Sequence, residues 1–281
     1  MIILKSTEDL FRWRKQIETD KIIGFIPTMG ALHEGHLSLV RKSLLESDMS
    51  VVSVFLNPKQ FSKGEDLDAY PINVEEDLEK LKLLKIDAVF FPQDNDIYSE
   101  DDNFIVQENK FSLFLEGKSR PQYFPGVLTV VAKLFNMIRP DNVYFGKKDA
   151  QQLILIKKLV EYMKYPICVV PCDTVREHHG LAMSSRNKYL NTSDRGRAKI
   201  IYLSLLEAKK MLDKGETQYN IIKNKIESIL RIEPDINIDY ISIANSETLD
   251  EYDEIIRDKI LISVAVFFCG VRLIDNIFYN N

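Results

Sequence analysis

KIIGFIPTMGALHEGHLSLVRKSLLES, residues 21–47, carries two kinds of periodicity in one stretch. Its opening, KIIGFIP (21–27), is an apolar run too short for a helix and suited to a buried strand. From Gly35 onward, GHLSLVRKSLLES spaces its apolar residues as a helix does, with the helix beginning at about His36. A strand that passes through a glycine-bearing turn into a helix is the opening of a βαβ unit.

Outward from this stretch the pattern repeats. SVVSVFL (50–56), DAVFFP (87–92), DNVYFG (141–146) and YPICVVP (165–171) read as further strands, and NVEEDLEKLKLLK (73–85), GVLTVVAKLFNMI (126–138) and DAQQLILIKKLVEYM (149–163) as helices between them. The expectation is an α/β protein with a doubly wound, Rossmann-like parallel sheet, whose ligands sit beyond the carboxyl ends of the strands. After about residue 173 the rhythm changes. A polar loop leads to helical patterns at 193–214 and 217–231, then to strand-like IDYISIA (238–244), KILISVAVFF (259–268) and VRLIDNI (271–277). These predict a smaller α+β domain, with the boundary between 1–173 and 174–281. The acidic run from Asp94 to Asp102 reads as a solvated loop.

Composition narrows the classes. Hydrophobic residues at 45% and charged residues at 28% fit a globular chain. No apolar run approaches the roughly 20 residues that span a bilayer, and the start, MIILKSTEDLFRWRK, is too short for a signal peptide, so a cytoplasmic protein without membrane contact is expected. A formal charge of -5 argues against nucleic acid as a partner. Cys168, Cys172 and Cys269 form no CxxC pair and read as small buried residues. The four histidines fall in two close pairs, so no protein-built metal site is expected.

Four segments can carry chemistry. In Met29-Gly30-Ala31-Leu32-His33-Glu34-Gly35-His36, the glycines let backbone approach a ligand, the helix start offers amide groups to a phosphate, and His33 and His36 can both donate hydrogen bonds to it. A lone HxxH is usually a pair of capping or core histidines; placed after a strand and opening a helix, it resembles the ATP motif of nucleotidylyltransferases and class I aminoacyl-tRNA synthetases. Met183-Ser184-Ser185-Arg186 offers hydroxyls and a guanidinium fork to phosphates and resembles the second motif of that superfamily, usually written KMSKS, although a bare Ser-Ser-Arg is ordinarily a cap or loop. Gly146-Lys147-Lys148-Asp149 ends a strand where a lysine can reach an α-phosphate, the bland reading being a helix cap at Asp149 beside solvated lysines. Asn57 and Gln60, in FLNPKQF, bring two amides able to bind a neutral or hydroxylated substrate to the end of another strand, although the bare string reads as a turn.

Taken together, PTMGALHEGH, FLNPKQF, the run from FPGVLTVVAKLFN to FGKKDAQQL, and GLAMSSRNKYL resemble the pantothenate synthetase (pantoate–β-alanine ligase) family, as do DLDAYP (66–71), LEGKSRP (115–121) and the closing RLIDNI. The resemblance implies that pantoate attacks the α-phosphorus of ATP to give pantoyl adenylate and pyrophosphate, and that β-alanine then displaces AMP. It implies ATP as substrate with Mg2+ on its phosphates, a homodimer, pantoate binding in the first domain, and the second domain as a lid. Residue by residue it puts Met29 through His36 against ATP, with His36 as proton donor to the departing pyrophosphate and His33 beside it. Gly146 through Asp149, the backbone at Val175, and Met183 through Arg186 complete the nucleotide site, with Lys148 at the α-phosphate. Gln60 and Gln152 hold pantoate, and Gln60 also lies near β-alanine. Tyr123 stands where the family usually has histidine, Lys147 where an acidic residue is common, Ile72 where arginine is expected, and His179 in place of a frequent aspartate. The alternatives are another HxGH nucleotidylyltransferase and a non-catalytic nucleotide-binding relative. The chain contains neither GxGxxG nor a Walker A string, which excludes a nicotinamide-dependent oxidoreductase and a P-loop enzyme.

Overall fold

The computed structural model describes residues 1–62, 64–99 and 103–280. The chain divides into two compact units: Met1–Ser112 with Glu116–Lys147 and Gln151–Asp173, and Leu113–Leu115 with Lys148–Ala150 and Thr174–Asn281.

In the first unit the strands are β1 (Ile2–Leu4), β2 (Ile23–Thr28), β3 (Met49–Val54), β4 (Ala88–Phe90), β5 (Asn142–Gly146) and β6 (Cys168–Cys172). They pair parallel throughout in the order β1-β4-β3-β2-β5-β6. From β2 the chain steps outward one way to β3 and β4, then resumes on the other side of β2 with β5 and β6, so the topological switch lies between β2 and β5. Phe25, Ile26, Val51, Val52, Val89 and Val143 are fully buried, as strands of a covered parallel sheet must be. The helices are α1 (Thr7–Gln16), α2 (Glu34–Glu46), α3 (Val74–Leu83), α4 (Asp94–Ile97), α5 (Leu115–Ser119), α6 (Tyr123–Ile138) and α7 (Ala150–Met163).

In the second unit, α8 (Thr192–Arg197), α9 (Ile200–Asp213) and α10 (Tyr219–Leu230) accompany β7 (Ile236–Asn245), β8 (Ile260–Phe268) and β9 (Val271–Tyr279), an antiparallel sheet in the order β7-β8-β9. Ile222, Ile226 and Leu230 on α10 share one core cluster with Ile262, Val264, Val266 and Phe268 on β8. Helical spacing of four meets strand spacing of two there.

Several expectations need correcting. The sheet has a sixth strand, β1, among the described residues; it is three residues long, and only Leu4 of it is buried. The helical pattern at 193–214 is two helices, capped at Asn191 and broken at Ala198–Lys199, with Gly196 weakening the last turn of α8. Helix α2 begins at Glu34, two residues before His36. Asp94–Ile97 forms the short α4, while Glu100 to Asp102 of the same acidic run lie outside the described residues. Of the cysteines expected to be buried, Cys172 is, but Cys168 and Cys269 are exposed.

Candidate active site

Both flanks of the switch in the first unit carry predicted site residues. At the end of β2, Thr28 Oγ1 donates to the Ser53 carbonyl at 2.8 Å and accepts from the Gly30 amide at 3.3 Å. The chain then turns through left-handed backbone at Gly30 (φ 83) and Ala31 (φ 51). At Gly30 the positive φ favours glycine, and a Cβ would also be tight, 3.1 Å from Val54 Cγ1 and 3.2 Å from Asp77 Oδ2. Ala31 has no such licence, and a left-handed alanine costs about 1 kcal/mol or more.

Asp77 on α3 offsets that cost. Its Oδ2 accepts from the Ala31 amide at 2.8 Å and its Oδ1 from the Leu32 amide at 2.7 Å, while Lys80 Nζ donates to the Leu32 carbonyl at 2.6 Å. Burial pushes the Asp77 carboxyl up from its ordinary value, outweighing the two amides and Lys80. Sequence reasoning missed this support. Its signal was available: Asp77 lies four residues before the fully buried Leu81, a charge on the apolar stripe of a helix.

His33 and His36 lock one another. His33 is the N-cap of α2, its Nδ1 accepting from the Gly35 amide at 3.1 Å, and His36 at the third helical position accepts the His33 amide on its own Nδ1 at 3.4 Å. The rings lie 4.1 Å apart, tilted by 32°. With both Nδ1 atoms acting as acceptors, each neutral imidazole carries its proton on Nε2. Capping and ligand donation are therefore compatible, because they use opposite nitrogens. The backbone amides of Gly30, Ala31, Leu32 and His33, ahead of the helix, and of Gly35 in its first turn have partners within the loop or on α3.

The amide residues form a second constellation. Asn57 caps the short turn Pro58–Gln60, accepting from the Lys59 amide. Its Nδ2 donates to Gln60 Oε1 and to the Gly126 carbonyl, both at 3.1 Å, and the Tyr98 hydroxyl donates to its Oδ1 at 2.8 Å. Gly126 on α6 permits this approach, since a Cβ there would meet the Lys59 carbonyl oxygen at 2.3 Å. Gln60 Nε2 lies 2.7 Å from Met29 Sδ, which joins this constellation to the histidine loop. Arg120 donates to the Gln60 carbonyl at 3.3 Å. On α7 the two adjacent glutamines part company. Gln151 is buried and engaged at both ends by the Glu116 amide and the Phe111 carbonyl, whereas Gln152 is half-buried and accepts from the Tyr123 hydroxyl at 3.2 Å.

The Gly146–Asp149 segment is split by the division of the chain. Gly146 ends β5, and Lys147 pairs with Asp173 at 2.6 Å, an interaction that holds the Asp173 carboxyl below its ordinary value. Within the second unit, Lys148 Nζ lies 3.3 Å from Asp149 Oδ1, and the Lys148 carbonyl accepts from Asn276 Nδ2 at 2.6 Å. Asp149 belongs to a tight 3-10 turn, Lys147–Asp149, that runs into α7.

Val175 and Met183 are adjacent in the second unit: the Met183 amide donates to the Val175 carbonyl at 3.0 Å, and Arg176 and Ala182 form a bridge between them. Arg176 holds the enclosed loop by donating to the Gly180 carbonyl at 3.2 Å and to both oxygens of Asp275 at 2.6 and 3.0 Å, with Tyr202 stacked 3.6 Å from the guanidinium. Burial pushes the Asp275 carboxyl up despite this pairing. Ser184 caps the turn Ser185–Tyr189 by accepting from the Arg186 amide, so the cap reading of Ser-Ser-Arg holds at Ser184 itself. Of the remaining departures, Ile72 packs beside the Gly30 turn, and His179 lies 3.1 Å from Glu177.

A parallel sheet with its switch between β2 and β5, an HxGH cap at the carboxyl end of β2, and a small antiparallel domain define a Rossmann-like α/β protein of two units. Residues 2–278 match the pantoate-beta-alanine ligase family, and the chain belongs to it. A pantothenate synthetase from Thermosipho africanus is 45% identical over 98% of this chain and 99% of its own length. The solved pantothenate synthetase of Thermus thermophilus superposes with a TM-score of 0.93 at 37% identity, covering 99% of both chains. A pantoate-beta-alanine ligase from Francisella tularensis, solved in complex with beta-gamma ATP and beta-alanine, gives 0.82 at 35% identity over 99% of this chain and 97% of its own.

Proposed function

We propose that this chain condenses pantoate with β-alanine at the expense of ATP, through pantoyl adenylate, releasing pyrophosphate and then AMP. The observation that supports the reading is the reciprocal cap of His33 and His36 at the carboxyl end of β2, which engages each ring through Nδ1 and so favours Nε2 as the N–H donor. Membership of the ligase family supports the same conclusion.

In the first step a pantoate carboxylate oxygen bonds to the α-phosphorus, and the bond from that phosphorus to the bridging oxygen breaks. Negative charge grows on the pyrophosphate, and His36 serves as its proton donor, with His33 beside it. Lys148 carries a full positive charge to the α-phosphate, and Gly146, Lys147, Asp149, Val175 and Met183 through Arg186 complete the nucleotide contacts. Gln60 and Gln152 hold pantoate, Asn57 orients Gln60, and Met29 through His36 face the nucleotide. In the second step the β-alanine amine attacks the acyl carbon and AMP leaves. The adenylate must be kept from water meanwhile, and residues 174–281 are assigned the role of lid to residues 1–173.

Magnesium neutralises charge on the phosphates. The ion would be held chiefly by phosphate oxygens and water. The enzyme is further proposed to be a cytoplasmic homodimer, which light scattering tests by a particle of twice the chain mass.

The deciding experiment measures AMP and pyrophosphate from ATP and magnesium with pantoate alone, β-alanine alone, and both. Steady AMP release that requires both acids and matches pantothenate formed is expected; untouched ATP in every mixture refutes the proposal. His36→Ala and Lys148→Ala should each lower adenylate formation by about 10²–10³-fold with the fold intact.

A further inference from the structure

We propose that Tyr123 is a positioning residue that fixes the Gln152 carboxamide with its N–H groups presented to the hydroxy-acid substrate, so that this chain sets pantoate affinity through a phenol. The inference rests on the ligase reading above and adds a residue to it.

A glutamine amide turns about a broad, roughly two-fold terminal torsion, so unaided it presents oxygen or nitrogen with little preference. Here the Tyr123 hydroxyl donates to Gln152 Oε1 at 3.2 Å, which consumes the acceptor and turns Nε2 with its two donors the other way. Tyr123 is itself braced. The Arg120 guanidinium lies 4.0 Å from the centre of its ring, and Arg120 is fixed by Glu65 through bonds of 2.7 and 2.6 Å. Ring, guanidinium and carboxylate form one rigid stack beneath the hydroxyl.

Gln60 has the same polarity by a separate route. The Tyr98 hydroxyl fills Asn57 Oδ1, Asn57 Nδ2 then fills Gln60 Oε1, and Gln60 Nε2 is turned the other way, where it donates to Met29 Sδ at 2.7 Å. Arg120, which also holds the Gln60 carbonyl, belongs to both arrangements. Both carboxamides have their oxygen taken by a tyrosine-anchored donor; Gln152 thereby turns its Nε2 toward a ligand, while one N–H of Gln60 is engaged by Met29 Sδ and the other can join it. That ligand must be rich in oxygen acceptors, as a hydroxy acid is. Gln151 next door does not join them, because both ends of its amide are spent on backbone.

The test uses Tyr123→Phe, which keeps the ring under Arg120 and deletes only the hydroxyl. With ATP, magnesium and both acids, the KM for pantoate should rise about five- to tenfold. The kcat and the KM values for ATP and β-alanine should stay within about twofold of wild type, and the unfolding temperature should not move. Tyr123→Leu, lacking the ring as well, should show at least the same rise in pantoate KM. An unchanged pantoate KM in active Tyr123→Phe overturns the inference alone. An equal rise for all three substrates, or a fall in unfolding temperature accompanying the change, also overturns it by reducing Tyr123 to packing. A wild-type enzyme that releases no AMP with pantoate and β-alanine removes the ligase reading and this inference together.

Discussion

Asp77 and Asp275 are buried carboxylates that each support a motif loop of their own unit, and they do so by opposite means. Asp77 works through backbone, accepting two amides of the histidine loop. Asp275 meets a full counter-charge, taking both arms of Arg176, which in turn holds the Gly180 carbonyl. Burial raises the carboxyl of both. The difference teaches that one residue type can shape a loop directly, by dictating backbone, or indirectly, by fixing the side chain that does so. The two designs should fail differently.

The largest effect is expected at Asp275. Asp275→Ala leaves Arg176 with an uncompensated charge in a mostly buried setting and should cost about 3–5 kcal/mol, read as faster amide exchange in β8 and β9. If the loss is below about 1 kcal/mol, Tyr202 stacking suffices for Arg176 and the contrast collapses. Asp77→Ala strips acceptors from two amides and should cost about 1–3 kcal/mol, with accelerated exchange confined to the Ala31 and Leu32 region and a fall in AMP formation larger than the fall in stability. Trp13, the one tryptophan, is buried in the first unit and reports its unfolding by fluorescence.

A pH series sharpens the same comparison. Because the folded-state Asp77 carboxyl lies above its ordinary value of 3.8, its contribution is greatest at low pH and declines as pH rises through the folded value. Asp77→Asn lacks this titration, so the stability of wild type relative to Asp77→Asn should fall from pH 4 toward pH 7 in urea titrations; a rise would mean that the amides prevail over burial. The smallest effect concerns Cys172, whose thiol burial pushes up to about 11. Native protein treated with iodoacetamide at pH 8 should be labelled at exposed Cys168 and not at Cys172, as peptide mass mapping would show.

The sequence was legible where periodicity and burial agree. KIIGFIP and DNVYFG are continuous apolar runs because their strands are covered on both faces, and GVLTVVAKLFNMI declared a helix that is buried nearly all round. Strand β1 was hidden because an exposed edge of three residues has no pattern to show. The histidines at the start of α2 were legible both as a motif and as candidate caps, but not the reciprocal bonding of the pair, which depends on which nitrogen faces the helix. Asp77 left a signal that went unread, a charge on the apolar stripe of α3, whereas Arg120, Arg176 and Asp275 were invisible for a common reason. Each acts on a residue distant in sequence, and a charged letter does not announce whether water or a partner surrounds it. Only the resemblance singled out Gln152 over Gln151, because adjacent glutamines differ solely in which face of α7 they occupy.

The reciprocal cap at the start of α2 has an evolutionary consequence. Serine or aspartate at position 33 would cap the helix at least as well as histidine does, so the fold would survive drift there while the Nε2 donor vanished. Selection for stability alone therefore cannot maintain His33. If His33 acts on the nucleotide as proposed, a lineage of this chain released from catalysis would lose that imidazole early and keep its shape, and the letter at position 33 would record whether the chemistry is still in use.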